Sequence, residues 1–281
     1  MISVVTPSLN QGDWLRLAVA SVADQEGVDY EHIVQDAGTP GLARMLEANF
    51  PHDLASEKLQ LFIEPDGGMY DAVNRGLSRT KGDLCAYLNC DEQYLPGALA
   101  KVEEFFARHP DADVLFGDMI LVDRQGEPLS YRRVVLPVRT HLRFAHLNTG
   151  SCATFFRRRI LDRGLYFPSE WKALGDLVWV DSLLQADAQL RTLALPLATF
   201  TFTGENLGAS PLSISEARRW KGAPRFAGVR TALSVVRHRF RKALRGAYRR
   251  RNVEIDLYTI ESPNKRQRRA AKNVGFRWNP A

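Results

Sequence analysis

The sequence predicts an α/β protein: a doubly wound layer of strands and helices, followed by a basic helical C-terminal extension. Three observations lead there. Over residues 1–122, apolar runs of strand length alternate with stretches of helical periodicity. Polar clusters follow the strand runs, where open α/β sheets place their ligands. The charge also divides the chain. Residues 1–215 carry 19 Lys and Arg against 28 Asp and Glu, and residues 216–281 carry 19 against 4. The body is therefore acidic and the last quarter strongly basic, a contrast that the overall charge of +6 conceals.

Each element has its own signal. Residues 2–6 form an apolar run stopped by Pro7, a buried strand. Residues 13–25 place Trp14, Leu17, Ala18 and Val22 near helical spacing. Residues 30–36 are a second strand, closed by Ala-Gly-Thr-Pro-Gly. A short helix at 42–50 and a third strand at 59–63 follow. Residues 69–79 are helical and end near Gly82. A fourth strand at 83–88 leads into Asn89-Cys90-Asp91-Glu92. Residues 96–108 are a helix with Pro96 in its first turn. Further strands fall at 114–116 and 119–122, and 123–128 reads as a turn. Beyond it, 153–156 is a strand, 176–185 a helix and 190–202 an extended apolar stretch. Four polar loops, at 6–10, 36–39, 64–68 and 89–92, should therefore converge on one sheet edge.

The bulk properties narrow the class. A chain of 281 residues, 45% hydrophobic and 25% charged, can bury one sizeable core with a smaller appendage. No apolar run approaches the roughly 20 residues that span a bilayer. The opening reads as a strand and lacks the regions of a secretory signal. Three cysteines without C-x-x-C spacing fit a reducing cytoplasm, where the protein is expected, with peripheral attachment to the inner face of the membrane as an option. No G-x-x-x-x-G-K-[ST] and no G-x-G-x-x-G after the first strand is present, which excludes a P-loop and disfavours NAD.

The ordered motifs resemble the family 2 inverting glycosyltransferases of the GT-A fold. ISVVTPSLNQGDWLRLAVASV resembles that family's opening strand, turn and helix, and YEHIVQDAGT a strand ending in a nucleoside-holding acid. EPDGGMYDAVNRGLSRTKGDLCAYLNCDEQYLPGAL carries the subgroup pattern E-P-D-x-G-x-x-D-A-x-N-x-G, then G-D, a strand and an acidic metal motif. SCATFFRR and Gly175-Asp176 resemble the acceptor half. The resemblance spans residues 1–210 and implies a GT-A Rossmann-like mixed sheet flanked by helices, while charge and periodicity make 211–281 a basic, partly helical extension. It also implies transfer of a sugar from a nucleotide-sugar donor to a saccharide or lipid-linked acceptor in envelope polysaccharide synthesis. Where broader relatives carry Arg before the Asn, this chain has Val73, and where they carry Asp-Asp it has Asp91-Glu92.

Such a reaction must hold a nucleoside diphosphate, neutralise charge on its leaving oxygens and take a proton from the acceptor hydroxyl. The resemblance assigns Asp36 to the nucleoside, with Thr6, Pro7, Ser8 and Asn10 around it. A strand-end Asp that caps its own turn is the competing reading. Asp66, Tyr70, Asp71, Asn74 and Asn89 complete the donor side, and a capped helix start is their alternative. Asp91 and Glu92 are the metal candidates, with oxygen donors suited to Mn²⁺ or Mg²⁺. Asp176 is the base candidate, against an N-cap, with Asp181 five residues on as the fallback. Trp171 reads as a core residue or as the floor of an acceptor pocket.

Residues 218–251 hold 13 basic side chains and no acid. Val229, Leu233, Val236, Phe240, Leu244 and Tyr248 recur there every three or four positions, a basic amphipathic helix. Three partners fit: an anionic membrane surface, the acidic body, or nucleic acid. The last lacks a reader motif and an aromatic platform. A protein acting on nucleic acid through this tail, or a weakly catalytic nucleotide-sugar binder, are the functional alternatives. Residues 253–259 read as a late strand and 265–272 as a solvated basic patch.

Overall fold

The computed structural model describes residues 1–204, 206, 210–222 and 227–278. Strand β1 (Ile2–Ser8) is buried along its whole length, and so is β2 (Tyr30–Asp36) beyond helix α1 (Gly12–Ala23). Continuous apolar runs of this kind belong inside parallel sheets with both faces covered. Helices α2 (Leu42–Asn49) and α3 (Pro51–Ala55) lead to β3 (Leu59–Ile63), which pairs parallel to β2. Pro51 opens α3 at a position where its missing N–H is not needed, so the helix expected at 42–50 restarts as a second short one.

Helix α4 (Met69–Arg79) crosses over to β4 (Leu84–Tyr87), parallel to β1. Strand β5 (Glu92–Tyr94) and helix α5 (Ala98–Arg108) follow, so Glu92 opens a strand where a loop was expected. Residues 114–116 and 119–122 are one strand, β6 (Val114–Val122), whose pairing shifts register at Gly117–Met119. Antiparallel to it runs β7 (Pro128–Arg132). The turn at 123–128 closes this hairpin, with Asp123 Oδ1 accepting from the Gln125 and Glu127 amides, both at 2.9 Å.

Helix α6 (Arg139–Phe144), a 3-10 turn at Ser151–Ala153, β8 (Thr154–Arg157), α7 (Arg159–Asp162), α8 (Gly175–Gln185) and β9 (Leu190–Thr201) complete the layer. The sheet order is β3-β2-β1-β4-β8-β6-β9-β5, with β7 alongside β6. Parallel strands hold one half, and antiparallel β8 introduces the other. The sheet is therefore mixed and flanked by helices, as the resemblance implied.

The C-terminal quarter departs from a single helix over 218–251. Helix α9 (Pro211–Lys221) ends at Gly222, with φ +60°, and α10 (Ala227–Leu244) is followed by Gly246, with φ +64°; positive φ suits glycine at helix ends. Residues 223–226 of the expected helix lie outside the described ones. Tyr248 lies past the helix and packs its ring on Phe276, 4.8 Å between centroids. The patch at 265–272 is strand β11 (Ser262–Val274), antiparallel to β10 (Arg251–Thr259). Alternation in β10 buries Val253, Ile255 and Leu257 against Ile120, Val122, Tyr131 and Leu95, which orders the basic strand beside it.

Charge complementarity reinforces this contact. The Arg266 guanidinium pairs with Asp24 at the end of α1, its Nη2 2.7 Å from Oδ1, and Arg269 pairs with Glu127 at 3.0 Å. No helix among the described residues is long and apolar enough to cross a membrane.

Candidate active site

One cavity of about 680 Å³ opens beyond the carboxyl ends of β1 and β4. The loop after β1 supplies Pro7, Ser8 and Leu9, the start of α4 supplies Asp66, Gly68 and Tyr70, and the loop after β4 supplies Asn89 to Asp91. Asp176 comes from the first turn of α8. Arg124 and Arg132 enter from the β6–β7 hairpin, and Trp278 from the segment after β11. Three of the four expected loops thus meet here.

The loop after β2 stands apart from the cavity lining. Asp36 accepts from the Gly38 and Thr39 amides at 2.8 and 2.5 Å and from Thr39 Oγ1 at 2.7 Å. Its carboxylate is fully buried and occupied by its own turn. Asn10, at φ +54°, donates its amide to Thr39 Oγ1 and joins the two loops. Thr6 Oγ1 meets His32 Nε2 at 2.8 Å beneath the loop. Burial holds that imidazole near a pKa of about 3, hence neutral.

Asp71 and Asn74 also turn to structural partners. Asp71 Oδ2 accepts from the Gly67 amide and from Arg75, at 2.8 and 3.0 Å, so Arg75 is engaged rather than free for a diphosphate. Asn74 spends both ends of its amide on Phe167, donating to its carbonyl at 2.7 Å and accepting from its N–H at 3.0 Å. Trp171 is buried against Trp220 and under Arg219, outside the cavity lining, in keeping with a core role.

The acidic pair divides. Asp91 lines the cavity, where Asn206 donates to its Oδ2 at 3.1 Å. Glu92 is fully buried and turned inward, accepting from Ser151 Oγ at 3.0 Å and from the Asn89 amide at 2.9 Å. Burial raises both carboxyls, and the Asp91 charge raises Glu92 further. Two enclosed acids of like sign favour a cation between or beside them. Asn89 Oδ1 is buried without a hydrogen-bond partner next to this pair. An all-oxygen set of this kind fits a hard divalent ion.

Asp176 faces the same cavity. Its Oδ1 accepts from the Leu177 amide at 2.7 Å, and the Tyr70 hydroxyl donates to the carboxylate. Burial lifts its pKa to about 6, against hydrogen bonds that lower it. Such a group is ionised at neutral pH yet basic enough to accept a proton. Gly175 permits this contact: a Cβ there would stand 2.5 Å from the Tyr70 ring. Replacing Gly175 by Ala is therefore expected to displace Tyr70, costing about 1–3 kcal/mol by urea unfolding and most of any turnover. An unchanged unfolding midpoint would count against this tight packing.

The start of α8 has an anchor that sequence reasoning missed. Glu216 of α9 accepts from the amides of Lys172, Ala173 and Leu174 at 2.7, 2.9 and 2.9 Å. It is a buried carboxylate holding the N-terminal end of the helix that carries Asp176, a place where negative charge is favoured. The sequence signal was slight: one acid just before a long basic stretch. Glu216→Gln, which keeps one acceptor oxygen, is expected to lose about 2–3 kcal/mol in urea unfolding. Unperturbed stability would show that the α8 start holds its place without the charge.

Also missed were Arg124, Arg132, Asn206 and a group of three histidines, of which His146 lines the cavity. His141, His146 and His238 bring ring nitrogens within 4.8 Å of one another, with His141 stacked on His238 at 3.9 Å. Burial first, then neighbouring charges including Lys242, lowers His141 to about 4 and His238 to about 3. That cationic setting disfavours a metal ion.

The mixed sheet gathers carboxylates and two guanidinium groups around one cavity beyond its parallel strand ends. The chain belongs to glycosyl transferase family 2, whose model matches residues 3–165. It is 31% identical over 122 residues to the PGL/p-HBAD biosynthesis glycosyltransferase of Mycobacterium tuberculosis, covering 43% of this chain and 47% of that one. It is 30% identical over 131 residues to the putative teichuronic acid biosynthesis glycosyltransferase TuaG of Bacillus subtilis, covering 46% and 50%. The chain thus spans about half the length of these curated relatives. Among solved structures, S. aureus TarS 1–349 in complex with UDP-GlcNAc aligns with a TM-score of 0.62 at 20% identity, over 88% of this chain and 75% of that one. The mannosyltransferase PcManGT from Pyrobaculum calidifontis, in complex with GDP-Man and Mn²⁺, aligns with a TM-score of 0.58 at 14% identity, over 87% and 78%. At these identities the structures establish the fold.

Proposed function

We propose that the protein transfers a sugar, with inversion at the anomeric carbon, from a nucleoside-diphosphate sugar to a saccharide or lipid-linked acceptor in cell-envelope polysaccharide synthesis. The observation that carries this reading is Asp176, an enclosed carboxylate with a pKa of about 6 on the same cavity as Asp91 and two arginines. The acceptor hydroxyl oxygen attacks the anomeric carbon as Asp176 takes its proton. The bond from that carbon to the phosphate oxygen breaks, and its electron pair leaves with the nucleoside diphosphate. Arg124 and Arg132 supply positive charge for the leaving group. Asp91 would hold a Mn²⁺ or Mg²⁺ ion with Asn89 Oδ1 nearby, while Glu92 fixes the loop. When bound, that ion acts as a Lewis acid on the diphosphate.

Pro7, Ser8, Asp66, Tyr70 and Asn89 form the donor wall in this reading. Asp36, Thr6, Asn10, Asp71 and Asn74 shape the loops behind it. The expected biosynthetic setting rests on the named relatives. Buried, unpaired Cys85, Cys90 and Cys152 are in keeping with a reducing compartment.

A thermal-shift panel of UDP-, GDP- and dTDP-sugars with Mn²⁺, Mg²⁺ or chelator tests the proposal. Stabilisation by one nucleotide class that requires metal is the expected result, and no response to any nucleotide would refute it. A second reading, a donor-binding protein with weak or no transfer, draws on the inward turn of Glu92, which leaves Asp91 as the member of the pair on the cavity. Donor stabilisation without release of nucleoside diphosphate in the presence of acceptor would favour it.

A further inference from the structure

Helix α10 is amphipathic in the sense its sequence predicts, but it is mounted with the apolar face outward. Val229, Leu233, Val236, Phe240 and Leu244 are 61%, 65%, 63%, 63% and 72% exposed. At 100° per residue they fall within an arc of about 80°. The polar side faces the body instead. Ser234 and His238 are buried, His141 Nδ1 lies 3.3 Å from Ser234 Oγ, and Thr231 Oγ1 donates to the Phe144 carbonyl at 3.2 Å. Arg230 and Arg237 border the apolar stripe on one side and Arg239 on the other, all exposed. An 18-residue helix is about 27 Å long, so the stripe is a continuous ridge of large side chains.

We infer that α10 is a membrane-docking element, which lies flat in the headgroup region of an anionic bilayer with the Val229–Leu244 stripe inserted and its flanking arginines on lipid phosphates. Large exposed apolar ridges need a partner. The basic borders, with no acid anywhere from residue 218 to 251, select an anionic one. A second copy of this chain is disfavoured, since pairing two such stripes would bring arginine borders of like charge together. The polar packing face explains how the helix remains attached to α6 while its ridge is free to insert. This inference does not depend on the donor reading, because it concerns a surface that shares no residue with the cavity lining.

The test is co-sedimentation of the full chain with phosphatidylcholine vesicles containing about one third phosphatidylglycerol, against phosphatidylcholine alone. The companion variant is Leu233→Ser/Val236→Ser/Phe240→Ser, whose sites are exposed and whose thermal midpoint checks the fold. The wild type should bind the anionic vesicles at least ~10-fold more tightly than the neutral ones, and the variant should lose ~100-fold in affinity with its midpoint unchanged. Failure of the wild type to bind anionic vesicles would overturn the inference. So would binding that the triple variant retains, or a wild-type dimer in sedimentation velocity that the variant splits without any vesicle binding. Nucleotide-induced thermal shifts report separately on the donor site, so either proposal can fail alone.

Discussion

Asp176→Asn should reduce the rate of sugar transfer by roughly a thousandfold, within the usual range for loss of a general base, while the folded protein becomes more stable at neutral pH. Both effects come from one carboxylate. In the wild type the folded pKa is about 6, above the ordinary value of 3.8. The folded state therefore favours the protonated form. Its advantage is complete below about pH 4 and is lost as pH rises through 6. Asparagine avoids that loss. At pH 7.5 the variant is expected to exceed wild type by about 1–2 kcal/mol in urea unfolding, a value reduced because the carboxylate opens partly on the cavity. At pH 4 the two should coincide. The wild-type kcat/KM should fall about tenfold per pH unit below 6. Full activity in Asp176→Asn would remove this residue from the mechanism.

Asp91→Ala should abolish the metal-dependent part of donor binding and lower turnover by roughly a thousandfold, equivalent to several kcal/mol of leaving-group stabilisation. The chemistry of the pair gives a second readout. Burial raises both Asp91 and Glu92, so the metal-free protein retains protons that a divalent ion displaces. Calorimetric titration with Mn²⁺ and a nucleoside diphosphate in two buffers of different ionisation enthalpy should show proton release for wild type and little for Asp91→Ala. Metal-free Asp91→Ala should also be the more stable protein at neutral pH, since an ionised carboxylate that burial disfavours is gone. Donor binding indifferent to both chelator and substitution would take the ion out of the proposal.

The first half of the fold was legible because local signals agreed with one another. Fully buried strands wrote themselves as apolar runs, and polar loops marked their carboxyl ends. What a strand-end acid does was less legible. Asp36 and Asp91 occupy similar places in the sequence, yet one closes its own turn on Gly38 and Thr39 while the other faces the cavity. Only the path of the following residues separates them. Asn74 looked like part of a helix-face motif, but its amide is matched to the backbone of Phe167, 93 residues away. No local pattern encodes that pairing. Strand β11 was hidden for the same reason: its basic residues lack apolar alternation, and it becomes a strand by pairing with β10. The periodicity of α10 was plain, but periodicity cannot say which face turns inward. Here small polar contacts from Ser234, His238 and Thr231 took the body, against the usual preference for burying the apolar side.

Pro7 and Trp278 border the same cavity although 271 positions separate them. During synthesis at about 5–20 residues per second, the first wall waits some tens of seconds for the last to emerge. Through that interval Ile120, Val122 and Tyr131 also lack their cover from β10. A nascent chain thus presents an incomplete cavity and an uncovered apolar sheet face, a window in which chaperone occupancy of the growing chain should be greatest.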